Sequence, residues 1–340
     1  MNFLIDITHP GNVHFFKNII KKLEDKSHNC IIVSRNRVEA IKLLEEEGFT
    51  FVRTGEFGKG FFGLFNEWQI RTRLVYHLVK DRDIDVLLGF PGETTSIVSK
   101  LLGKKSFSFT NCESVSLNGF VAYNLSNHIC TPDFLENNFG KKHLKVNGFF
   151  EMAYLHPNYF APDRRVLDEL NLKEKERFFV IRSVAWNALH DLNQSTGFDR
   201  KGLIKIVNFL KEHGKVFISA EDELPKELEQ YRLKINLNKV HHLLYYSDLF
   251  VGDSQTMAIE SGLLGTYAIR CNSLVETKHG SGVFRELQEK YGLVYSYRNQ
   301  NEAFEKVKEL INNKDSKERV KQLYQDKEDI LPKIIDYILK

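Results

Sequence analysis

Residues 249–265 hold the densest chemistry in the chain. An apolar run, Leu249 to Val251, meets Gly252-Asp253-Ser254, and a helical pattern then runs from about Gln255 to Leu264 before Gly265. Ser254 has the side chain of a helix N-cap, and Gly265 suits a left-handed stop. The first N–H groups of a helix lack an intrahelical acceptor and sit at the positive end of the macrodipole. Ser254, Gln255 and Thr256 are therefore expected to start an anion site. Glu260 follows six residues after Ser254, roughly 9 Å along the axis at ~1.5 Å per residue. A diphosphate at the helix start and ribose hydroxyls on the carboxylate give the outline of a nucleotide-sugar site. The plainer alternative is a capped crossover helix carrying a surface Glu.

Other candidates stand in loops that follow strand-like runs. His9, Asn12 and His14 form the first such loop. Imidazole titrates near neutrality, so His14 or His9 could act as general base. The alternative makes His9 a turn residue before Pro10 and has His14 cap or pack on the first helix. Glu93 and Glu113 follow the fourth and fifth strand candidates, and a buried carboxylate with a raised pKa serves as acid or base. Glu93 could equally be a helix-start acid favoured by the dipole. Glu113 reads as a loop residue with no strong helix signal after it. Arg182 could grip a phosphate bidentately, and Trp186 could line the site or stack on a base. The alternatives are a core Trp186 and a surface pair His190-Asp191. His241 and His242 are adjacent, so they do not share a helix face and make no joint metal site. Asp81-Arg82-Asp83 and Glu221-Asp222-Glu223 read as solvated turns, so no metal is expected. Finally, Phe57–Trp68 reads as an aromatic, Gly-rich loop, followed by a helix bearing Arg71, Arg73, Lys80 and Arg82. Such a surface suits a membrane interface or a lipid-linked acceptor; the plainer alternatives are a loop folded back on its own domain and a dimer contact.

The elements that must position these residues alternate between short apolar runs and helical patterns, which indicates parallel sheets with crossover helices. In the first half the strands are Phe3 to Ile7, Cys30 to Ser34, Phe51 to Arg53, Val86 to Gly89, Ser106 to Phe109 and His128 to Thr131, six in all. An aromatic, Pro-bearing stretch from Met152 to Pro162 resembles an interdomain linker. The second half restarts with Phe178 to Ile181 and Val216 to Ser219. The expected class is α/β, two Rossmann-like domains over 1–152 and 163–315, with a helical segment at 316–340 interrupted near Pro332. A length of 340 residues suits two cores. The net charge of +3 is too small for bulk nucleic-acid binding. Four scattered cysteines make neither a zinc pattern nor a disulfide framework. The start of the chain reads as a strand, no apolar run reaches membrane-spanning length, and a cytoplasmic location is expected. No G-x-G-x-x-G follows the first strand, which argues against a dinucleotide dehydrogenase.

Asp6 to Lys17, Tyr154-Leu155-His156-Pro157, Arg182 to Asp191 and Ser247 to Ile269 occur in this order. Together they resemble a family of bacterial and archaeal predicted glycosyltransferases with GT-B-like architecture. The segment at 247–269 is also similar to the diphosphate element of the non-hydrolysing UDP-N-acetylglucosamine 2-epimerases. Asp253-Ser254-Gln255-Thr256 stands where that family has a glycine-bearing turn, and the H-x-E-A-G-L-R run of the epimerases is missing around Glu113. The resemblance implies two domains facing a central cleft and a metal-independent transfer of sugar from a nucleoside diphosphate, UDP foremost, to a cell-surface glycan or lipid-linked acceptor. It implies a donor site of Arg182, His242, Ser254, Gln255, Thr256 and Glu260, with His242 near the base, and catalysis by His14, Glu113 or Glu93. No cofactor is implied besides the nucleotide-sugar co-substrate, and the inner face of the plasma membrane is an implied place of work. The alternatives are a UDP-sugar 2-epimerase or hydrolase and a non-catalytic nucleotide-sugar-binding protein.

Overall fold

The computed structural model describes residues 1–56, 60–113, 116–183, 197–220, 223–275 and 281–340; of residues 56, 60–62, 64 and 281 it describes the backbone alone. The chain forms two compact units, Met1–Tyr159 together with Lys327–Lys340, and Phe160–Asp326.

The first unit contains β1 (Asn2–Ile7), α1 (Pro10–Asp25), β2 (Asn29–Asn36), α2 (Val38–Glu46), β3 (Phe51–Glu56) and α3 (Gly60–Asp81). It continues with β4 (Val86–Gly89), α4 (Glu93–Leu102), β5 (Lys105–Phe109), α5 (Leu117–Leu125), β6 (His128–Pro132), β7 (His143–Val146) and α6 (Met152–Leu155). Its seven strands are parallel in the order β3-β2-β1-β4-β5-β6-β7. Phe3, Leu4, Ile5 and Ile7 are fully buried, as expected of a central parallel strand covered on both faces.

The second unit contains α7 (Arg165–Glu169), β8 (Phe178–Ser183), α8 (Arg200–Leu210), β9 (Lys215–Ala220), α9 (Val240–Tyr246), β10 (Leu249–Gly252) and α10 (Gln255–Leu263). It ends with β11 (Tyr267–Cys271), α11 (Ser281–Arg285), β12 (Val294–Tyr297), α12 (Gln300–Leu310) and α13 (Ser316–Asp326). The parallel strand order is β12-β11-β10-β8-β9. The last helix, α14 (Ile330–Leu339), belongs to the first unit, where the Tyr337 hydroxyl lies 3.1 Å from His128 Nδ1.

Both sheets change direction of strand order once, between β1 and β4 and between β8 and β10. Ligands of such sheets bind beyond the carboxyl ends of the strands at that switch point. The loops after β1, β4, β8 and β10 are therefore the informative ones in each unit.

The structure corrects several expectations. Among the described residues the first half has seven strands; β7 and, in the second half, β12 are additions to the sequence reading. Both are edge strands in which polar residues interrupt the apolar ones, so neither shows the continuous apolar run of a central strand. Phe57–Trp68 is not a loop throughout, because α3 starts at Gly60; Phe57 and the side chains of Phe61 and Phe62 lie outside the described residues. Glu113 does precede a helix. Ser116 caps α5, its Oγ accepting from the Gly119 N–H at 3.1 Å. The stretch Met152 to Pro162 contains the crossing between the units, at Tyr159–Phe160; it begins as buried helix α6, and Tyr159 donates to Asp329 Oδ2 at 2.6 Å. The terminal helical segment is interrupted near Pro332, as expected: α13 ends at Asp326 and α14 begins at Ile330, with Pro332 in the first turn of α14, where its missing N–H has no helical acceptor.

Candidate functional site

In the first unit, β1 delivers Asp6 to the switch point near its carboxyl end. Asp6 is 1% exposed, and Arg71 of α3 donates to its Oδ1 at 2.6 Å. Arg71 reaches on to Thr54 Oγ1 at 3.4 Å, and Thr54 donates to the Ser34 carbonyl at 3.2 Å. Four elements thus meet in one buried polar chain. Beside it Arg35 forms a fork with Glu67, Nη2 lying 2.6 Å from Oε2 and Nε on Oε1. Asp6 Oδ2 is buried without a hydrogen-bond partner among the described residues.

Glu93 is the first residue of α4, across the switch point from β1, and is 6% exposed. Gly92, with φ +87°, turns the chain tightly from β4 into α4; a Cβ there would lie 2.8 Å from the Gly89 Cα. Asn118 donates to Glu93 Oε1 at 3.3 Å. Burial pushes the Glu93 carboxyl above its ordinary range, and the nearby Asp6 charge adds to this against the pull of Arg71. Burial likewise raises Asp6 by more than Arg71 lowers it. A carboxyl whose proton affinity is raised by burial is equipped for acid–base work.

The neighbouring candidates have other settings. His9 caps α1, its Nδ1 accepting from Gly11 N–H at 3.1 Å, while Asn12 Oδ1 accepts from the N–H groups of Thr8 and His9 at 3.1 and 3.0 Å. His14 is buried and stacks on Tyr154, with centroids 5.4 Å apart. Glu113 is half-buried, and its carbonyl accepts from Asn137 Nδ2 at 3.1 Å.

In the second unit a polar row crosses the carboxyl end of the sheet. Ser219, Arg182, Gly252, Arg270 and Ser296 are register partners on successive strands β9, β8, β10, β11 and β12. Arg182 Nη1 donates to Ser219 Oγ at 2.8 Å. A Cβ on Gly252 would fall 2.5 Å from the Arg182 carbonyl oxygen, so only glycine lets β8 and β10 approach here. Ser254 caps α10 by accepting from Met257 N–H at 3.4 Å. Asn272 fixes the turn by donating to the Asp253 carbonyl at 2.8 Å. Residues 253–257, Gln255 and Thr256 among them, are half-buried, so side chains do not fully seal the turn.

Glu260 lies deeper on α10 and is 2% exposed; its Oε1 is 2.9 Å from His241 Nε2 of α9. His242 accepts from the Asp163 N–H at 2.9 Å and stacks on Phe160 at 4.9 Å. Trp186, His190 and Asp191 lie outside the described residues, as do Glu221 and Asp222. Among the described residues no three His, Cys, Asp or Glu gather as a metal-holding group, and no helix is long and apolar enough to cross a membrane.

Sequence reasoning missed Asp6, Arg71 and Arg270. A signal existed for two of them: Asp6 and Arg270 are lone charges inside apolar strand runs, Phe-Leu-Ile-Asp-Ile and Tyr-Ala-Ile-Arg-Cys. A charge in a doubly covered strand has to be explained by a partner or a ligand.

The fold is shared with solved structures of UDP-GlcNAc 2-epimerases and of a MurG. The UDP-GlcNAc 2-epimerase of Neisseria meningitidis, solved bound to UDP-GlcNAc, superposes with a TM-score of 0.69 at 12% identity, over 100% of this chain and 99% of that one. The Methanocaldococcus jannaschii UDP-GlcNAc 2-epimerase, in complex with UDP-GlcNAc and UDP, gives 0.68 at 13% over 96% and 99%. Acinetobacter baumannii MurG gives 0.61 at 12% over 100% and 99%. At such identities the likeness is one of fold, a GT-B-like pair of Rossmann units. A search of curated proteins returned no match. Residues 1–339 match the sequence profile of one family, and the chain accordingly belongs to DUF354, a family described as a protein of unknown function.

Proposed function

We propose that the protein is an enzyme acting on a nucleoside-diphosphate sugar by proton transfer at the sugar, an epimerase or hydrolase that needs no acceptor. The observation that carries this reading is the buried carboxyl pair, Asp6 and Glu93, flanking the switch point between β1 and β4 with proton affinities raised by burial. Solved relatives in fold bear the name UDP-GlcNAc 2-epimerase, so a UDP-sugar is the first substrate class to try. In this reading Glu93 moves the proton, Glu113 is the second carboxylate of the same unit, and His14 has a packing part. The amino end of α10, with Ser254, Gln255 and Thr256, takes the diphosphate, where negative charge builds as the sugar bond loosens. Glu260, oriented by His241, serves the ribose; Arg182 adds positive charge and His242 flanks the base.

The test is incubation with a panel of UDP-sugars in D2O, without acceptor, followed by proton NMR. Deuterium entering a sugar carbon, or free UDP appearing, is the expected outcome, with a loss of about a hundredfold or more in Glu93→Gln. Turnover that appears only after a glycan or lipid-linked acceptor is added would overturn it in favour of glycosyl transfer, the reading that the motif resemblance supports. Binding without turnover under both conditions would leave a nucleotide-sugar-binding protein.

A further inference from the structure

Among the described residues, Arg270 is a buried cation without an acid. It sits near the carboxyl end of β11 and is 2% exposed. Its Nη1 donates to a neutral amide, Gln255 Oε1, at 3.2 Å, and its guanidinium lies 3.5 Å from the Phe284 ring centroid. Its Nε is buried with no hydrogen-bond partner among the described residues, and no described carboxylate forms an ion pair with it. Burial without such compensation pulls its pKa down to about 10. A guanidinium in this position is costly unless something anionic meets it.

Gln255, which Arg270 touches, is the first residue of α10. Ser254 Oγ occupies only the Met257 N–H, and the N–H groups of Gln255 and Thr256 precede the first intrahelical acceptor. An unsatisfied guanidinium N–H and a helix start therefore converge on one turn. Both kinds of donor suit a ligand with several anionic oxygens on one centre.

We propose that Arg270 and the amino end of α10 form one phosphoryl site, with Arg270 as its fixed positive charge and a diphosphate as its ligand. This rests on the nucleotide-sugar reading for the natural ligand, but the site itself is defined by phosphoryl chemistry and can be probed without a nucleoside. Arg182, on the far side of Gly252 in the same row, is already committed to Ser219.

The experiment is calorimetric titration of the full chain with inorganic pyrophosphate, UDP and uridine, on wild type, Arg270→Gln and Arg270→Lys. Wild type binds pyrophosphate and UDP. Arg270→Gln loses about tenfold to a hundredfold in affinity for both, the scale of a hydrogen bond to a charged group, and Arg270→Lys loses less. Uridine affinity is unchanged. Should Arg270→Gln fail to fold, Arg270→Lys decides, a threefold or greater loss for pyrophosphate supporting the site and an unchanged affinity overturning it. Pyrophosphate binding that depends on Arg270, with no nucleoside diphosphate bound, upholds the site and removes the nucleotide reading. UDP binding that ignores Arg270 overturns the site and leaves that reading standing. Equal losses for uridine and pyrophosphate, or no binding of pyrophosphate or UDP by wild type, overturn the site.

Discussion

Two kinds of buried charge distinguish the units at the scale of single residues. In the first unit carboxyls dominate, and Arg71 compensates Asp6 directly at 2.6 Å. In the second an arginine stands without an acid among the described residues. Glu93 makes the clearest prediction. Its folded pKa lies above its ordinary 4.5, chiefly through burial. Between those two values the native state holds a proton that the unfolded chain has released, so stability falls as pH rises through that window. Glu93→Gln has no proton to lose at this site. Urea unfolding from pH 4.5 upward is expected to show wild type losing stability relative to Glu93→Gln; a difference that stays flat with pH would show the carboxyl to be ordinary.

At the scale of elements, the helix ends that present the candidate residues are held by side chains from elsewhere in their own unit. Lys317 of α13 donates to the carbonyls of Tyr245 and Leu264, both at 2.8 Å. These carbonyls lie at the C-terminal ends of α9 and α10, where a cation is favourable. Lys317→Met strips both and is expected to cost about 1–3 kcal/mol in urea unfolding. The cost also depends on pH. Burial lowers the Lys317 pKa to about 8 from an ordinary 10.5. The unfolded chain therefore holds more protons than the native state between those values, and wild type gains on the Met variant as pH rises from 8 to 10.5. A difference constant across that range would mean that the ammonium is solvated.

At the scale of the whole molecule, the chain leaves its first unit after Tyr159 and returns to it at Lys327. The returning α14 buries Ile330, Leu331, Ile334, Ile335 and Ile338 in that unit, each worth roughly 1.5–3 kcal/mol of transfer from water. Truncation after Asp326 should therefore destabilise the first unit and spare the second. Hydrogen exchange read by mass spectrometry would show this as lost protection in β1, β4 and α1 with β8 and β10 unchanged. Equal loss in both units would show that their stabilities are not separable.

The sequence alone determined what local chemistry governs. Apolar runs and helical periodicity located the central strands and most helices, and Ser254 as cap and Gly265 as stop followed from side-chain and backbone preferences; Gly265 has φ +74°. Tertiary structure decided what depends on distant partners. Asp6 and Arg71 lie 65 residues apart and Gln255 and Arg270 lie 15 apart; nothing local pairs them. Strand order sets which loops share a switch point, and periodicity does not encode order. The edge strands β7 and β12 interleave polar residues and carry too little apolar signal to be seen, whereas the edge strands β3 and β9 keep short apolar runs and were legible; α14, though strongly amphipathic, does not state which unit covers its apolar face. Whether a carboxyl or guanidinium is a surface charge or a buried reagent is a matter of desolvation, which exists only once the chain has packed around it.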